Sequence, residues 1–369
     1  MNEELFYGIA LSLMKGIGDS NAKTLISYTG STEEIFKTPI SKLQKISGVG
    51  PKLSETFKDT AQVLARAEKE IAFIQKNNIK VHFYYDKKYP KRLLNCSDSP
   101  LFIFSKGNVD FNEERFVNIV GTRHATEYGK ETTEKLIADL AKFKVNLVSG
   151  LAYGIDISAH KAALKYDIQN IAVLAHGLDR IYPAQHKNIA EKLQQNGALV
   201  TTYLSETNPD RQNFPDRNKI VAGMTDATIV VESAIAGGAL ITAEIANNYN
   251  RDIFAFPGRI TDEYSQGCLK LIKNHKANLV TSAQDIIEFM NWDLDKVPIK
   301  KEHIQPQLFI ELDEHELVIV NYIRMKDKVH IDELNLSLQL KQSNISTILL
   351  QLEMKGVIVS LPGKMYKVV

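Results

Sequence analysis

The chain has 369 residues, of which 44% are hydrophobic and 24% are charged. This composition is typical of globular proteins, and it excludes collagen-like, coiled-coil and mostly disordered chains. Lys plus Arg (45) and Asp plus Glu (44) nearly cancel, so the net charge of +1 excludes a strong field over the whole molecule.

At roughly 150 residues per domain, the length predicts two or three domains. No apolar run reaches the roughly 18 residues of a membrane span, and no long apolar stretch follows the acidic start, so we expect neither membrane association nor a signal peptide. The two cysteines, Cys96 and Cys268, are far apart in the sequence. Their spacing fits a reducing cytoplasm and excludes a disulfide framework and a thiolate zinc site. The nine histidines show no metal-ligand spacing and the chain has no P-loop, so no metal or cofactor is expected.

Residues 1–65 are predicted to form an N-terminal helical domain of the helix-hairpin-helix type. Two Gly-apolar-Gly turns, at 16–18 and 48–50, each separate one short helical piece from the next. Glycines let backbone N–H groups at a helix N-terminus approach a phosphate. They also suit a plain turn between helices, and residues 1–60 carry no net charge. DNA contact and a structural turn therefore both remain open.

Residues 66–295 are predicted to form an extended Rossmann-like α/β domain. Short runs that are apolar on both faces alternate with helical stretches, which is typical of a doubly wound parallel sheet. The runs are Phe116–Val120, Val145–Val148, Ile171–Leu174, Ala198–Val200, Thr228–Val231 and Ile253–Phe256.

Residues 296–311 are polar, contain two prolines and are predicted to be a linker. Residues 312–369 then show the pattern of a winged helix, with three helices followed by a hairpin. The third helix, within 343–356, carries few basic residues, although arginine is the commonest base reader and cations supply most of the affinity for DNA. We therefore favour a protein-contact or regulatory role over duplex DNA binding, and both remain open.

Two strand-to-helix turns in the central domain are rich in small residues. The first contains Gly121-Thr122-Arg123, and the second contains Ser149-Gly150. In a parallel sheet such turns lie at the carboxyl edge, where ligands bind. Gly121 permits close backbone approach to a ligand, and Arg123 offers a planar fork for phosphate.

Further motifs follow in order along the chain. They are His176–Pro183, Ser205–Glu206, Asn213–Gly223, Val231–Ala243, Ala255–Arg259 and Ser265–Ile272. Together with the two turns, this series closely resembles the DNA-processing protein A family (DprA or Smf), from about Tyr89 to Ile287. The resemblance implies an extended Rossmann-like fold that binds single-stranded DNA, a homodimer through that domain, and partnership with the RecA recombinase in natural transformation.

The segment 211–219 has the residue types that bind single strands, which are cations for the backbone and a ring on which a base can stack. Phe214 is the candidate stacking ring, and Arg211, Arg217 and Lys219 can contact phosphates. Phe214 could instead be a core aromatic that caps the sheet. Arg217 could instead be buried in a pair with an acidic residue, Asp179 or Glu206.

The resemblance carries the family's DNA pocket over to Arg123, Arg211 and Phe214, with Lys187 as a further match. The full predicted set for single-stranded DNA is Gly121, Thr122, Arg123, Ser149, Gly150, Lys187, Arg211, Phe214, Arg217, Asn218 and Lys219.

An enzymatic function is the main alternative to non-enzymatic binding. Asp156, Asp179, Glu206 and Glu232 are at or near strand ends, where two carboxylates could form an acid–base pair. We favour helix capping and bonds to arginines or backbone N–H groups for them. The central domain also distantly resembles nucleotide phosphoribohydrolases, but residues 236–244 lack the proline and third glycine of their signature. A sequence-specific regulator that acts through the winged helix is a third possibility.

Overall fold

The structure is a computed structural model that describes residues 3–46, 48–292, 312–338 and 342–368. The predicted linker, 296–311, lies outside the described residues. The predicted domain boundaries near residues 65 and 295 stay predictions.

The N-terminal part is helical, as the sequence predicts. Gly30, with φ of 95°, ends the second helix, and the Ser31 side chain caps the third by accepting a bond from the Glu34 N–H. The helices are α1 (Glu3–Leu13), α2 (Asp19–Thr29), α3 (Thr32–Lys37), α4 (Ile40–Leu43), α5 (Pro51–Ser54) and α6 (Ala61–Lys76), with a 3₁₀ turn at Glu55–Lys58.

Strands and helices alternate through the central part. The first strands and helices are β1 (Lys80–Phe83), α7 (Lys91–Leu94), β2 (Phe102–Asn108), β3 (Phe116–Val120), α8 (Glu127–Leu140), β4 (Asn146–Ser149), α9 (Ile155–Lys165) and β5 (Asn170–Val173). They continue with α10 (Lys187–Leu193), β6 (Gly197–Thr201), α11 (Asn213–Gly223), β7 (Ala227–Val230), α12 (Gly238–Asn248), β8 (Asp252–Ala255), α13 (Gln266–Lys273), β9 (Asn278–Leu279) and α14 (Ala283–Phe289). Strands β3, β5, β6 and β7 are buried along their whole length, which explains their runs of apolar residues.

The C-terminal part has the helix and hairpin order of a winged helix. It comprises α15 (Glu314–Lys326), β10 (Lys328–His330), α16 (Ile331–Ser337), α17 (Gln342–Met354), β11 (Ile358–Leu361) and β12 (Met365–Val368). A capping box between Asp313 and Glu316 starts α15, and Ile323, Leu334 and Leu349 are among the residues of its small core. This confirms the predicted winged helix.

The chain divides into two compact units. Unit 1 contains residues 1–112 and 171–220. Its strands follow the order β1-β2-β6-β5, and β2 runs antiparallel to both β1 and β6. The N-terminal helices pack apolar residues such as Ile9, Leu25 and Ile71 into one core with Phe102 and Phe104 of β2.

Unit 2 contains residues 113–170 and 221–369. Its strands follow the order β4-β3-β7-β8-β9, all parallel. Helices α8, α9 and α14 bring Leu136, Ala159 and Ile286 against Val117 and Phe254 of the strands. The predicted fold class, a mostly parallel Rossmann-like α/β protein with a helical N-terminus and a winged helix, is confirmed.

Candidate nucleic-acid interface

The strand order of unit 2 reverses at β3. The chain continues from β3 to β4 on one side, whereas β7, β8 and β9 extend on the other. In open α/β sheets, ligands bind at the carboxyl edge where the order reverses. The loops after β3 and β7 therefore flank the expected crevice. The Thr122 N–H donates across it to the Glu232 carbonyl, with an N···O distance of 2.8 Å.

A buried carboxylate fixes the turn that carries Arg123. Glu232 accepts a bond from the Thr126 N–H at 3.0 Å and another from the Thr126 hydroxyl. Thr126 in turn caps α8 by accepting from the Gly129 N–H at 3.1 Å. A Cβ at Gly129 would lie 2.2 Å from the Glu232 carboxylate, so a side chain there would displace this carboxylate. Glu232 thus bonds to backbone N–H and hydroxyl groups, as the structural alternative for this residue requires, while Arg123 stays exposed.

The small residues of the two turns pack against neighbouring groups of unit 2. A Cβ at Gly121 would lie 2.4 Å from the Ile155 side chain, so tight packing requires this glycine. The Ser149 hydroxyl is buried and donates to the Ile119 carbonyl at 2.7 Å. Gly150 is buried too, and His160 Nε2 lies 2.5 Å from its carbonyl oxygen. These contacts give Gly121, Ser149 and Gly150 a role in shaping the turns, and direct contact of these residues with DNA stays a prediction.

In unit 1, the start of α11 presents the predicted stacking ring. Phe214 is half-buried, Arg211 is exposed, and the Arg217 guanidinium lies over the Phe214 ring at 5.8 Å. The hydroxyl of Tyr203 donates to the Asn213 carbonyl at 3.1 Å, which fixes the first turn of the helix. Phe214 is therefore not a core aromatic sealed from solvent.

Arg217 does not face outward with the other cations. It is 94% buried, and its Nη1 donates to the Val173 carbonyl of β5 at 3.0 Å. A guanidinium in this place is shielded from solvent, which favours a supporting position against Phe214, and direct contact of Arg217 with phosphate stays a prediction. Asp179, which the sequence offered as a partner, forms an ion pair with Arg180 at 2.8 Å.

The remaining predicted cations differ in their surroundings. Lys187 is exposed at the start of α10. Lys219 forms ion pairs with Asp216 at 3.1 Å and Asp98 at 3.6 Å, and the bond to Asp216 raises the pKa of its amine. Asn218, next to it, is half-buried. Lys219 therefore has two carboxylates as close neighbours, which lowers the local positive potential.

Sequence reasoning missed Tyr182 as a candidate site residue. Its ring is 46% exposed and makes an edge contact with Phe214, with 6.4 Å between the ring centroids. The sequence did offer a signal for it, because Tyr182 is an aromatic residue directly before a proline in a polar segment that follows a strand.

The two Gly-apolar-Gly turns of the N-terminal helices pack against each other in a reciprocal way. Gly16 and Gly48 have φ values of 84° and 82°, which favour glycine. The Cβ position of Gly16 faces Leu53, five residues after Gly48, and that of Gly48 faces Asn21, five residues after Gly16. This pairing gives both glycines a structural reason, and DNA contact at the turns stays a prediction.

The winged helix bonds to the end of α12 and the start of β8 within unit 2. Asn250 donates from its amide to Asp332 at 3.1 Å and accepts from Lys364, at the tip of the wing, at 2.9 Å. Beside it, Arg251 Nη1 lies 3.2 Å from His330 Nε2, and both side chains are buried. Burial raises the pKa of Asp332. The wing tip therefore contacts the α/β part of the chain.

Across residues 3–46, 48–292, 312–338 and 342–368, no helix is long and apolar enough to cross a membrane. In the same part of the chain, no group of three or more His, Cys, Asp or Glu side chains is placed to hold a metal ion.

The fold defines a class of protein, an extended Rossmann-like α/β protein with a winged helix. Unit 1 presents cations and two aromatic rings, and unit 2 presents Arg123 at its carboxyl edge. A family model described as DNA recombination-mediator protein A matches residues 80–291, and a DprA winged helix domain model matches residues 310–364. The chain belongs to the DNA recombination-mediator protein A family.

Individual relatives agree with this assignment. Protein Smf of Synechocystis is 35% identical over 280 residues, which cover 74% of this chain and 69% of that protein. The X-ray structure of DNA processing protein A from Streptococcus pneumoniae is 31% identical, with a TM-score of 0.65, and the match covers 78% of this chain and 98% of that one. DNA processing protein A of Helicobacter pylori, whose structure concerns its single-stranded DNA binding mode, is 27% identical, with a TM-score of 0.53 over 58% of this chain and 96% of that one.

Proposed function

We propose that this chain is a single-stranded DNA-binding recombination mediator that protects incoming DNA and helps RecA to load onto it in natural transformation. It acts in the cytoplasm by binding and positioning, without bond chemistry and without a cofactor. The observation that carries the proposal is the Phe214 ring, which is held against the buried Arg217 and lies three residues after the exposed Arg211. A ring for bases beside a cation for phosphates is the arrangement that single strands need.

Two further observations support the proposal. Arg123 is exposed on a turn that Glu232 fixes from inside, so a second cation is held ready at the carboxyl edge of unit 2. The Helicobacter pylori relative is described by its single-stranded DNA binding mode.

Binding of a labelled oligo-dT and of a matched duplex, measured across salt in the presence of EDTA, tests the proposal. We expect a clear preference for the single strand and a slope of log affinity against log salt of about −0.7 per neutralised phosphate. Arg123→Ala and Arg211→Ala should each flatten the slope, whereas Phe214→Ala should weaken binding with the slope nearly unchanged. Equal weak binding to both DNAs, unaffected by all three substitutions, would contradict the proposed site.

RecA loading needs its own measurement. We expect the wild-type chain to speed RecA filament formation on single strands already covered by a single-strand-binding protein. The Phe214→Ala variant should lose most of this effect. Loading that is equally fast without the chain would contradict the mediator role and leave DNA binding intact.

We further propose a homodimer through the Rossmann-like domain and a protein-contact role for the winged helix. Two contacts support the second point: Lys364 at the wing tip bonds to Asn250, and His330 at the end of β10 lies against Arg251. Light scattering coupled to size exclusion tests the dimer, and a monomer at micromolar concentration would contradict it.

For the winged helix, removing the Lys364 side chain should leave the affinity for duplex DNA unchanged. A large loss of duplex affinity would favour direct DNA binding by the wing.

A further inference from the structure

The loop between β5 and α10 holds Tyr182 in a fixed position at the edge of unit 1. The Tyr182 N–H donates to His176 Nε2 at 3.3 Å, and His176 Nδ1 contacts the Gly177 carbonyl at 2.9 Å. The Thr201 hydroxyl donates to the His176 carbonyl at 2.9 Å, which ties the loop to the end of β6. His176 is 98% buried, so the loop has an interior anchor while the ring of Tyr182 faces solvent.

The Tyr182 ring meets Phe214 at an angle. The two ring planes are 63° apart, with 6.4 Å between the centroids. We call this pair, Tyr182 and Phe214, the aromatic corner. Each wall has its own support, since His176 anchors Tyr182 and Arg217, bonded to Val173, lies over Phe214. His176 lies in the loop after β5, and Arg217 is bonded to β5 itself. Because both rings are held by groups of the chain, the corner is formed before any ligand arrives.

The Tyr182 hydroxyl of the corner can match the edge of a nucleobase. Within the described part of the chain, the Tyr182 hydroxyl makes no hydrogen bond. A flat base stacked on one ring presents its edge to the other ring, where a hydroxyl can donate to a ring nitrogen or a carbonyl oxygen of the base. Cations that can bind the adjoining phosphates belong to the same unit, among them Arg211 and Lys187.

We propose that the aromatic corner binds one nucleobase of single-stranded DNA, with Phe214 as the stacking ring and Tyr182 as the second wall that holds the base in place. This inference rests on the proposed function and adds a base-binding residue to it. A purely structural Tyr182 would hold Phe214 in place without touching DNA.

An oligo-dT with one 2-aminopurine tests the corner, because this fluorescent base is quenched when it stacks on an aromatic ring. Wild type should quench the probe on binding. Tyr182→Leu and Phe214→Leu should lose most of the quenching and bind roughly fivefold or more weakly, as expected for loss of a base stack. Tyr182→Phe should keep the quenching because it keeps the ring. Tyr28→Leu is the matched control, since Tyr28 is another exposed tyrosine of unit 1, on α2, and should behave as wild type.

The outcomes separate the inference from the proposed function. If Tyr182→Leu quenches and binds as wild type while Phe214→Leu does not, the corner is wrong and the single-strand site stands. If wild type does not bind the oligonucleotide, the proposed function fails, and the inference fails with it.

Melting curves check that the leucine variants fold. Should Tyr182→Leu melt early, Tyr182→Phe and Tyr182→Trp decide instead, and loss of quenching in both ring-retaining variants would overturn the corner.

Discussion

The turn after β3 and the start of α11 are both rich in charged residues, yet they place these residues in opposite ways. At the β3 turn Arg123 is exposed, whereas Glu232, which follows β7 and bonds to Thr126 of this turn, is buried. In α11 one arginine, Arg217, is buried, and the acid, Asp216, is exposed. The comparison teaches that the charged residues at one place in the fold divide into those that face solvent and those that support the surface from inside. Burial, not residue type, decides the division.

The buried arginine of α11 should show the largest effect on stability. Arg217→Leu leaves the Val173 carbonyl without this donor, and an unsatisfied buried group costs about 1–3 kcal/mol. We expect the free energy of unfolding, measured by urea titration, to fall by this amount, and single-strand binding to weaken because Phe214 loses its support.

Arg211→Leu is the control, since Arg211 is exposed and such substitutions usually stay within about 0.5 kcal/mol. If Arg217→Leu is as stable as wild type and only flattens the salt dependence of DNA binding, Arg217 contacts phosphate. The contrast between a supporting and a surface arginine would then be wrong.

Glu232, the buried acid that bonds to the β3 turn, should come next. The two carboxylate oxygens of Glu232 accept bonds from the Thr126 N–H and hydroxyl. Glu232→Gln replaces one of these oxygens with an NH₂ group, which donates and cannot accept. Loss of such a capping bond costs about 1 kcal/mol of stability. We expect a lower melting temperature and weaker DNA binding, because Arg123 is less firmly positioned.

Glu127→Gln removes the same charge from an exposed position in the first turn of α8 and should change neither property by much. Equal effects of the two substitutions would mean that charge at this helix end matters and the buried contact does not.

Among the exposed cations, neighbouring acids should set the size of the effect. Arg211→Ala should reduce the salt slope of single-strand binding by about 0.7, the value for one phosphate. Lys219→Ala should change the affinity less than twofold, because Asp216 and Asp98 already pair with this lysine. Salt titrations of both variants check the order, and a larger effect at Lys219 would reverse it.

The smallest effect should be a pH dependence of the loop that holds Tyr182. Burial lowers the pKa of His176 below its ordinary 6.5. The nearby charge of Asp179 opposes this shift, and that of Arg180 adds to it. The neutral ring is the form that accepts the Tyr182 N–H. Since the unfolded chain takes up the proton first, this contribution to stability is complete above pH 6.5 and is lost as the pH falls below it.

Urea titrations of wild type and His176→Gln at several pH values test this expectation. The difference between the two proteins should shrink as the pH falls below about 6.5. His315→Gln, at an exposed histidine of α15, should follow wild type throughout. A difference that stays constant with pH would show that His176 does not titrate in this way.

The sequence by itself determined the family, the alternation of strands β3 to β8 with helices, and the winged helix, whereas β1, β2 and β9 were not predicted. Runs buried on both faces predict parallel strands such as β3 and β7 wherever they occur, and the Gly-Thr-Arg turn marks a carboxyl edge, because both signals are local. The three helices and hairpin of the winged helix follow from the same kind of local pattern.

Only the tertiary structure decided which residues of those motifs are exposed, which are buried and which partners they have. Arg217 is buried because the Val173 carbonyl, 44 residues away in sequence, meets its guanidinium. Glu232 bonds to Thr126, which is 106 residues before it in the sequence. Gly121 has no side chain because the Ile155 side chain occupies the space that a Cβ would need. Tyr182 joins Phe214 because the loop after β5 and the start of α11 meet in space. Such partners come from distant segments, and a local pattern of apolar and polar residues carries no information about which distant group will satisfy a given side chain.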